Sequence, residues 1–251
     1  MSPQSDEPPG PLPRGRHRLS RDEVRSSQHH RLCTAALVAV GELGYAATTV
    51  ADIVSRAQVA RRTFYALFSG KDECFAAAYD FGVETGLRAL REVVAAAGEM
   101  SFAERVQLAF DVYLTTLAAE PAAARALYVE TLVAGGPLVA HRARVHRLFA
   151  EFMLDIARCG VDGGDLLSTP DPQLIDMLLG GIDDRIRACL HERGAEHLPD
   201  LSALFTRTAL ALCDRAHDRV ITRPGERAAV ADPQAPGKPP ERSAGDPERS
   251  R

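Results

Sequence analysis

The sequence predicts an all-α fold, a small three-helix head followed by a larger helical domain. Three observations predict it. Apolar residues recur every three or four positions through most of the stretch from residue 20 to about residue 222, the period of an amphipathic helix. Two S-x-x-E pairs, Ser20 with Glu23 and Ser101 with Glu104, supply the reciprocal caps of helix N-termini. No segment reads convincingly as a strand, and no internal repeat is present.

Residues 1–19 are proline-rich and then basic ("RGRHRL"), a composition that predicts disorder. A first helix follows Ser20, with Val24, Leu32, Ala35, Ala36, Ala39 and Leu43 on its inward face. Gly44 ends it, where a left-handed residue costs least. "TTVADIVSRA" opens a short second helix, capped by Thr48 or Thr49, with Val50, Ile53 and Val54 on one face. "QV" at 58–59 leaves room only for a tight corner, and "VARRTFYALF" (59–68) carries the third helix. "SGKDE" (69–73) then starts a fourth, with Asp72 and Glu73 in its favourable first turn.

The later segments are helical as well. "SFAERVQLAFDVYLTTL" places Phe102, Val106, Phe110, Tyr113 and Leu117 at helical spacing. Pro121 starts another helix, and Gly135-Gly136-Pro137 separates it from the long "PLVAHRARVHRLFAEFMLDIARCG". After a turn at 160–170, "DPQLIDMLLGGIDDRIRACLHERG" and "LPDLSALFTRTALALCDRA" are two more amphipathic helices. Residues 223–251 are poor in apolar residues and rich in Pro and charge, as a disordered tail would be. The expected segments are thus a basic arm (1–19), a head (20–85), a larger helical domain (86–222) and a tail (223–251).

Composition narrows the function classes. With 45% apolar and 25% charged residues among 251, the chain reads as soluble, with enough length for a sizeable core. No run approaches a membrane span, and the N-terminus lacks the apolar stretch of a signal peptide. Cys33, Cys74, Cys159, Cys189 and Cys213 are scattered, odd in number and never in C-x-x-C spacing. That argues against disulfides or a thiolate zinc site and for a cytoplasmic location. His29-His30 has no partner at metal-ligand spacing and reads as exposed helix surface, so no metal or cofactor is expected. An enzyme is not expected either. There is no G-x-S-x-G, Walker A or H-E-x-x-H, and the adjacent Asp183 and Asp184 point about 100° apart on a helix.

The net charge of −4 conceals an asymmetry. From Arg14 to Lys71, ten Lys/Arg stand against four Asp/Glu, a net +6, so the remainder carries −10. A basic head on an acidic chain is the arrangement of a nucleic-acid reader. A helix, a sharp corner and a second helix form a helix-turn-helix, whose second helix enters the major groove with its first residues toward the bases. Arg61 and Arg62 occupy that first turn, and arginine can bond bidentately to guanine O6 and N7. Tyr65 shares the face of Arg61, while Phe64, Leu67 and Phe68 should pack inward. Thr49 and Lys71, near helix starts, are candidate phosphate contacts, and Arg14, Arg16 and Arg18 form an arm able to enter a minor groove.

The stretch "TTVADIVSRAQVARRTFYALFSGKDECF" resembles the N-terminal domain of the tetracycline-repressor-like (TetR/AcrR) transcriptional regulators. The matching parts are T-T-V before the second helix, V-x-x-x-T-F-Y-x-x-F across the third, and K-[DE]-E opening the fourth. The resemblance implies a homodimeric repressor that binds double-stranded DNA at a palindromic operator and responds to a small-molecule effector held in the larger domain. It implies that Thr49, Thr63, Tyr65 and Lys71 touch phosphates or the groove and that Arg61 and Arg62 read bases; Thr48 counts with its neighbour as a DNA-binding candidate. It also implies that the last two long helices pair with those of a partner as a four-helix bundle, their apolar faces including Leu178, Ile182, Leu204 and Leu212. Two residues depart from the pattern: Gln58 stands where glycine is usual, and Ala60 where Ser or Thr often caps the third helix. Each departure costs about 1 kcal/mol, the first if residue 58 has positive φ.

For the effector, an apolar pocket with a few placed polar groups is expected, and Phe110, Tyr113, Tyr128, His146, Phe149 and Met153 are the candidates. Core packing is the competing role for each. Asp183 and Arg187 read as an i,i+4 surface pair, and Gly180-Gly181 as a bend or a close helix approach. The alternative reading is a helical ligand-binding module, or a redox sensor acting through Cys74 or Cys159, with weak or altered DNA binding.

Overall fold

The computed structural model describes residues 20–213. The arm with Arg14, Arg16 and Arg18, the expected tail and the end of the last expected helix lie outside the described residues. Among the described residues every regular element is helical, and no helix is long and apolar enough to cross a membrane.

The expected caps are in place. Helix α1 (Arg21–Leu43) begins where the Ser20 hydroxyl accepts from the Glu23 N–H (3.1 Å) and the Glu23 carboxylate accepts from the Ser20 N–H (2.6 Å). Thr49 with Asp52 starts α2 (Val50–Ala57) in the same way, and Ser101 with Glu104 starts α5 (Phe102–Ala119). Between them lie α3 (Arg61–Leu67) and α4 (Lys71–Ala96).

Two apolar cores organise these helices. Leu32, Val40, Ile53, Phe64, Phe68 and Phe75 centre the first, built mainly from α1 to α4. Leu114, Phe152, Ile156, Ile186 and Phe205 centre the second. Helix α4 supplies both: Tyr79 and Val83 belong to the first core, Leu87, Leu90 and Val94 to the second. Its 26 residues make a rod about 39 Å long.

The second half is less regular than its periodicity predicts. Helix α6 (Pro121–Arg125) widens into a π-helical turn (Ala126–Glu130) before α7 (Thr131–Ala134). A 3-10 turn (Gly136–Leu138) precedes α8 (Val139–Asp162), and α9 (Pro172–Glu192) follows, capped by Asp171. A second 3-10 segment (Ala195–Leu201) leads into α10 (Ser202–Cys213). Helix α6 lies against α1 so closely that a Cβ on Gly41 would sit 1.9 Å from the carbonyl oxygen of Ala122. Only glycine permits that approach.

Two expectations need correction. Leu178 and Ile182 face the second core, because Ile175, Leu178, Leu179, Ile182 and Ile186 form the buried stripe of α9. The outward face of that helix carries Met177, Gly180 and Gly181 instead, and nothing within 4 Å would meet a Cβ on either glycine. On α10, Leu204 is exposed and Leu212 partly buried. His29 is half-buried, its ring 5.2 Å from that of Phe68, and burial lowers its pKa.

Candidate DNA-binding head and internal cavity

The third helix divides as its sequence requires. Phe64 and Phe68 are buried, with ring centroids 5.6 Å apart, whereas Arg61, Arg62 and Tyr65 are exposed. Tyr65 is 50% exposed, its ring edge-on to the buried Phe64 with centroids 5.3 Å apart. Its hydroxyl accepts from the Arg61 guanidinium at 3.3 Å, so one exposed side chain steadies the other. Arg62 and the half-buried Thr63 complete the first turn.

The corner between α2 and α3 is a Schellman turn centred on Gln58, at φ 51° and ψ 45°. The Val59 N–H reaches the Val54 carbonyl at 3.1 Å and the Gln58 N–H reaches that of Ser55 at 3.2 Å. Gln58 is the only positive-φ residue other than glycine among the described residues. An external clamp holds it: Arg31, from α1, donates to the carbonyls of Ala57 and Gln58. Ala60 offers no side-chain cap to α3.

The other head candidates divide. Thr49 is exposed at the start of α2, its hydroxyl bonded to Asp52 at 2.6 Å. Thr48 is corrected: it is 2% exposed, and its hydroxyl donates to the Gly44 carbonyl at 2.8 Å, so it fastens the α1–α2 corner and presents no donor outward. The Lys71 ammonium donates to the Tyr45 carbonyl at 2.8 Å and stands 4.4 Å from that ring's centre. It keeps two further protons for an anion. The Tyr45 hydroxyl donates to Asp72 (2.5 Å), and burial together with that carboxylate pushes its pKa up to about 12. Arg14, Arg16 and Arg18 lie outside the described residues.

A cavity of about 380 Å³ opens in the larger half. Phe110, Tyr113, Tyr128, His146, Phe149 and Met153 all line it. The Tyr113 and Tyr128 hydroxyls bond to each other, and burial raises both pKa values. Sequence reasoning missed the charged wall. Arg142, Asp183 and Arg187 also line the cavity, so the partly exposed Asp183–Arg187 pair (3.8 Å) forms part of its wall. Burial raises the Asp183 pKa against the opposing pull of Arg187, His146 and Arg142. An i,i+4 spacing looks the same on either face of a helix, so no local signal could have found this.

Glu130 was missed as well. It is 4% exposed, accepts from the Tyr45 backbone N–H at 2.9 Å and from Arg125 at 3.2 Å. Its neighbours Leu127, Tyr128 and Thr131 line the cavity, so one short segment serves both the cavity wall and the entrance to α2. A carboxylate standing in the aliphatic run "YVETLVA" was the available signal. Among the described residues no group of three or more His, Cys, Asp or Glu could hold a metal ion.

Known proteins share both the head and the fold. The sequence profile of "Bacterial regulatory proteins, tetR family" matches residues 32–78, the stretch that builds most of the head. Among curated proteins no sequence matches. The fold is similar to that of the fatty acid degradation regulator FadR from Bacillus halodurans, at 17% identity and TM-score 0.63 over 73% of this chain and 94% of that one. FadR from Bacillus subtilis, solved with stearoyl-CoA, is similar at 18% identity and TM-score 0.63 over 72% and 97%. TylP, a TetR regulator from Streptomyces fradiae, follows at 22% identity and TM-score 0.58 over 77% and 90%. At these identities the likeness shows the fold, and the family profile matches the head. The head is similar to that of bacterial regulatory proteins of the tetR family, and together with the fold this supports a DNA-binding transcriptional regulator.

Proposed function

We propose that this regulator is a cytoplasmic, homodimeric repressor whose grip on a palindromic operator is released by a small-molecule effector. The head, residues 20–85, presents α3 to the major groove. There Arg61 and Arg62 read bases, Thr63 and Tyr65 touch the groove, and Thr49 and Lys71 hold phosphates. The domain from residue 86 to 222 binds the effector and the partner subunit. The exposed Met177, Gly180 and Gly181 on α9, with Leu204 on α10, support pairing across that face. Small residues let backbones approach closely.

One observation carries the effector-responsive reading: the segment 126–131 lines the cavity and, through Glu130, holds the Tyr45 N–H at the entrance to the head. A ligand favouring one position of this segment biases the head through that bond. It acts only if it binds the DNA-incompetent arrangement more tightly. The stearoyl-CoA bound by the Bacillus subtilis FadR lends support to a ligand with a long apolar body. Burial of Cys74, whose thiol is pushed up to about 12, disfavours a redox sensor built on that residue.

Selection of bound sites from a random duplex library, repeated across a salt series, tests the reading. A palindrome is expected, with affinity falling steeply as salt rises. Salt-sensitive binding with no enriched motif would refute sequence-specific repression. Sedimentation of the free protein as a monomer at micromolar concentration would refute the dimer.

A further inference from the structure

We infer that the cavity takes a carboxylic acid with an apolar body, the carboxylate held by Arg142. This rests on reading the cavity as the effector site, and it adds the chemical class of the ligand. The apolar part of the wall is formed by Leu90, Phe110, Phe149, Phe152, Met153 and Leu179. Such a surface binds a hydrocarbon or aromatic body by exclusion of water but does not select its head group.

The head group is selected by charge. Three cationic or potentially cationic side chains, Arg142, His146 and Arg187, and one carboxylate, Asp183, line the cavity. Two of the three have carboxylate partners. Arg187 lies 3.8 Å from Asp183 and 4.0 Å from Asp184, and His146 lies 3.4 Å from Asp176. Close by along α8, Arg144 is paired as well, with Asp80 at 3.3 Å and with Glu84. Arg142 is half-buried in the wall, and among the described residues it has no carboxylate within 4.0 Å and no hydrogen-bond partner.

A guanidinium withdrawn from water without a counter-charge is unfavourable, and its planar fork matches the two oxygens of a carboxylate. Asp183 is poorly suited to a cationic ligand. Its carboxylate already faces Arg187 at 3.8 Å. The unsatisfied charge on the cavity wall is therefore positive.

The test is a titration of the full-length protein with decanoate, decanol and decylamine, which share a tail and differ only in head group. Decanoate is expected to bind about tenfold more tightly than decanol, the scale of one charge-assisted contact, with decylamine weakest. Arg142→Gln should bring decanoate to the level of decanol while leaving decanol binding unchanged, which also reports that the cavity is intact. Arg142→Lys should retain part of the preference. Tightest binding of decylamine would assign the head-group contact to Asp183 and overturn the inference. Equal binding of the three probes, or a decanoate preference that survives Arg142→Gln, would overturn it too. If none of the three binds while the random-duplex selection still yields an operator, the effector-site reading falls with it and the DNA-binding function stands.

Discussion

The backbone N–H of Tyr45 donates to the carboxylate of Glu130 at 2.9 Å, across 85 positions of sequence. Neither partner is free to turn to water, since Glu130 is buried and Tyr45 is half-buried at the α1–α2 corner. Glu130→Ala should therefore strand the Tyr45 N–H and destabilise the protein by about 1–3 kcal/mol. Amide exchange at Tyr45 should accelerate more than exchange in the second core. Unchanged protection of that amide would mean the bond does not hold the corner. Glu130→Gln keeps an acceptor oxygen and should cost less.

In the head, Arg61→Ala and Arg62→Ala are expected to relax sequence preference, by about 1–3 kcal/mol per arginine. Tyr65→Phe removes the hydroxyl that accepts from Arg61 at 3.3 Å, so it should reproduce part of the Arg61 effect. Lys71→Ala should weaken all sequences about equally and flatten the salt dependence. Competition binding on an operator and its single-base variants separates these outcomes. Intact specificity in the triple variant of Arg61, Arg62 and Tyr65 would displace α3 as the reading helix.

The corner leaves room for gain. Gln58→Gly relieves a left-handed glutamine and should raise stability by up to about 1 kcal/mol. Ala60→Ser adds the missing cap of α3 and should add about as much. Denaturant unfolding measures both. Operator preference should stay unchanged, because neither residue belongs to the exposed face of Arg61, Arg62 and Tyr65.

Local features of this protein were legible in the sequence, and long-range ones were not. The three reciprocal caps at Ser20, Thr49 and Ser101 needed only residues three apart, and two of them were read outright. All six residues singled out for a pocket line the cavity, because aromatic and Met side chains at helical spacing had to face some interior. Thr48 misled because a threonine beside a helix start looks like a cap, whereas its hydroxyl had already found Gly44. Leu178 and Ile182 misled because an apolar stripe does not say which neighbour covers it. The Arg31 clamp joins residues 27 positions apart, and neither its pairing with Gln58 nor the choice of Tyr45 as the partner of Glu130 leaves a local trace.

Asp183 gives a pH dependence with a definite sign. Burial raises its folded pKa above the ordinary value of 3.8, so the folded chain holds that proton more tightly than the unfolded one. The resulting stabilisation is present at low pH and is lost as pH rises through the folded value. Asp183→Asn removes this loss. Its Tm relative to the parent protein should climb as pH rises from about 4, and the difference should shrink below that. A constant difference across the range would show that the carboxyl titrates normally in the folded state.

The contact between Gly41 and the carbonyl of Ala122 is backbone against backbone. Side chains between two helices act as soft bushings, because rotamers can absorb part of a displacement before it travels. Here there is none to absorb it. A shift of α6 must either carry α1 with it or open the joint altogether, so the short helix that leads into the cavity wall and the first helix of the head share a bearing with almost no play.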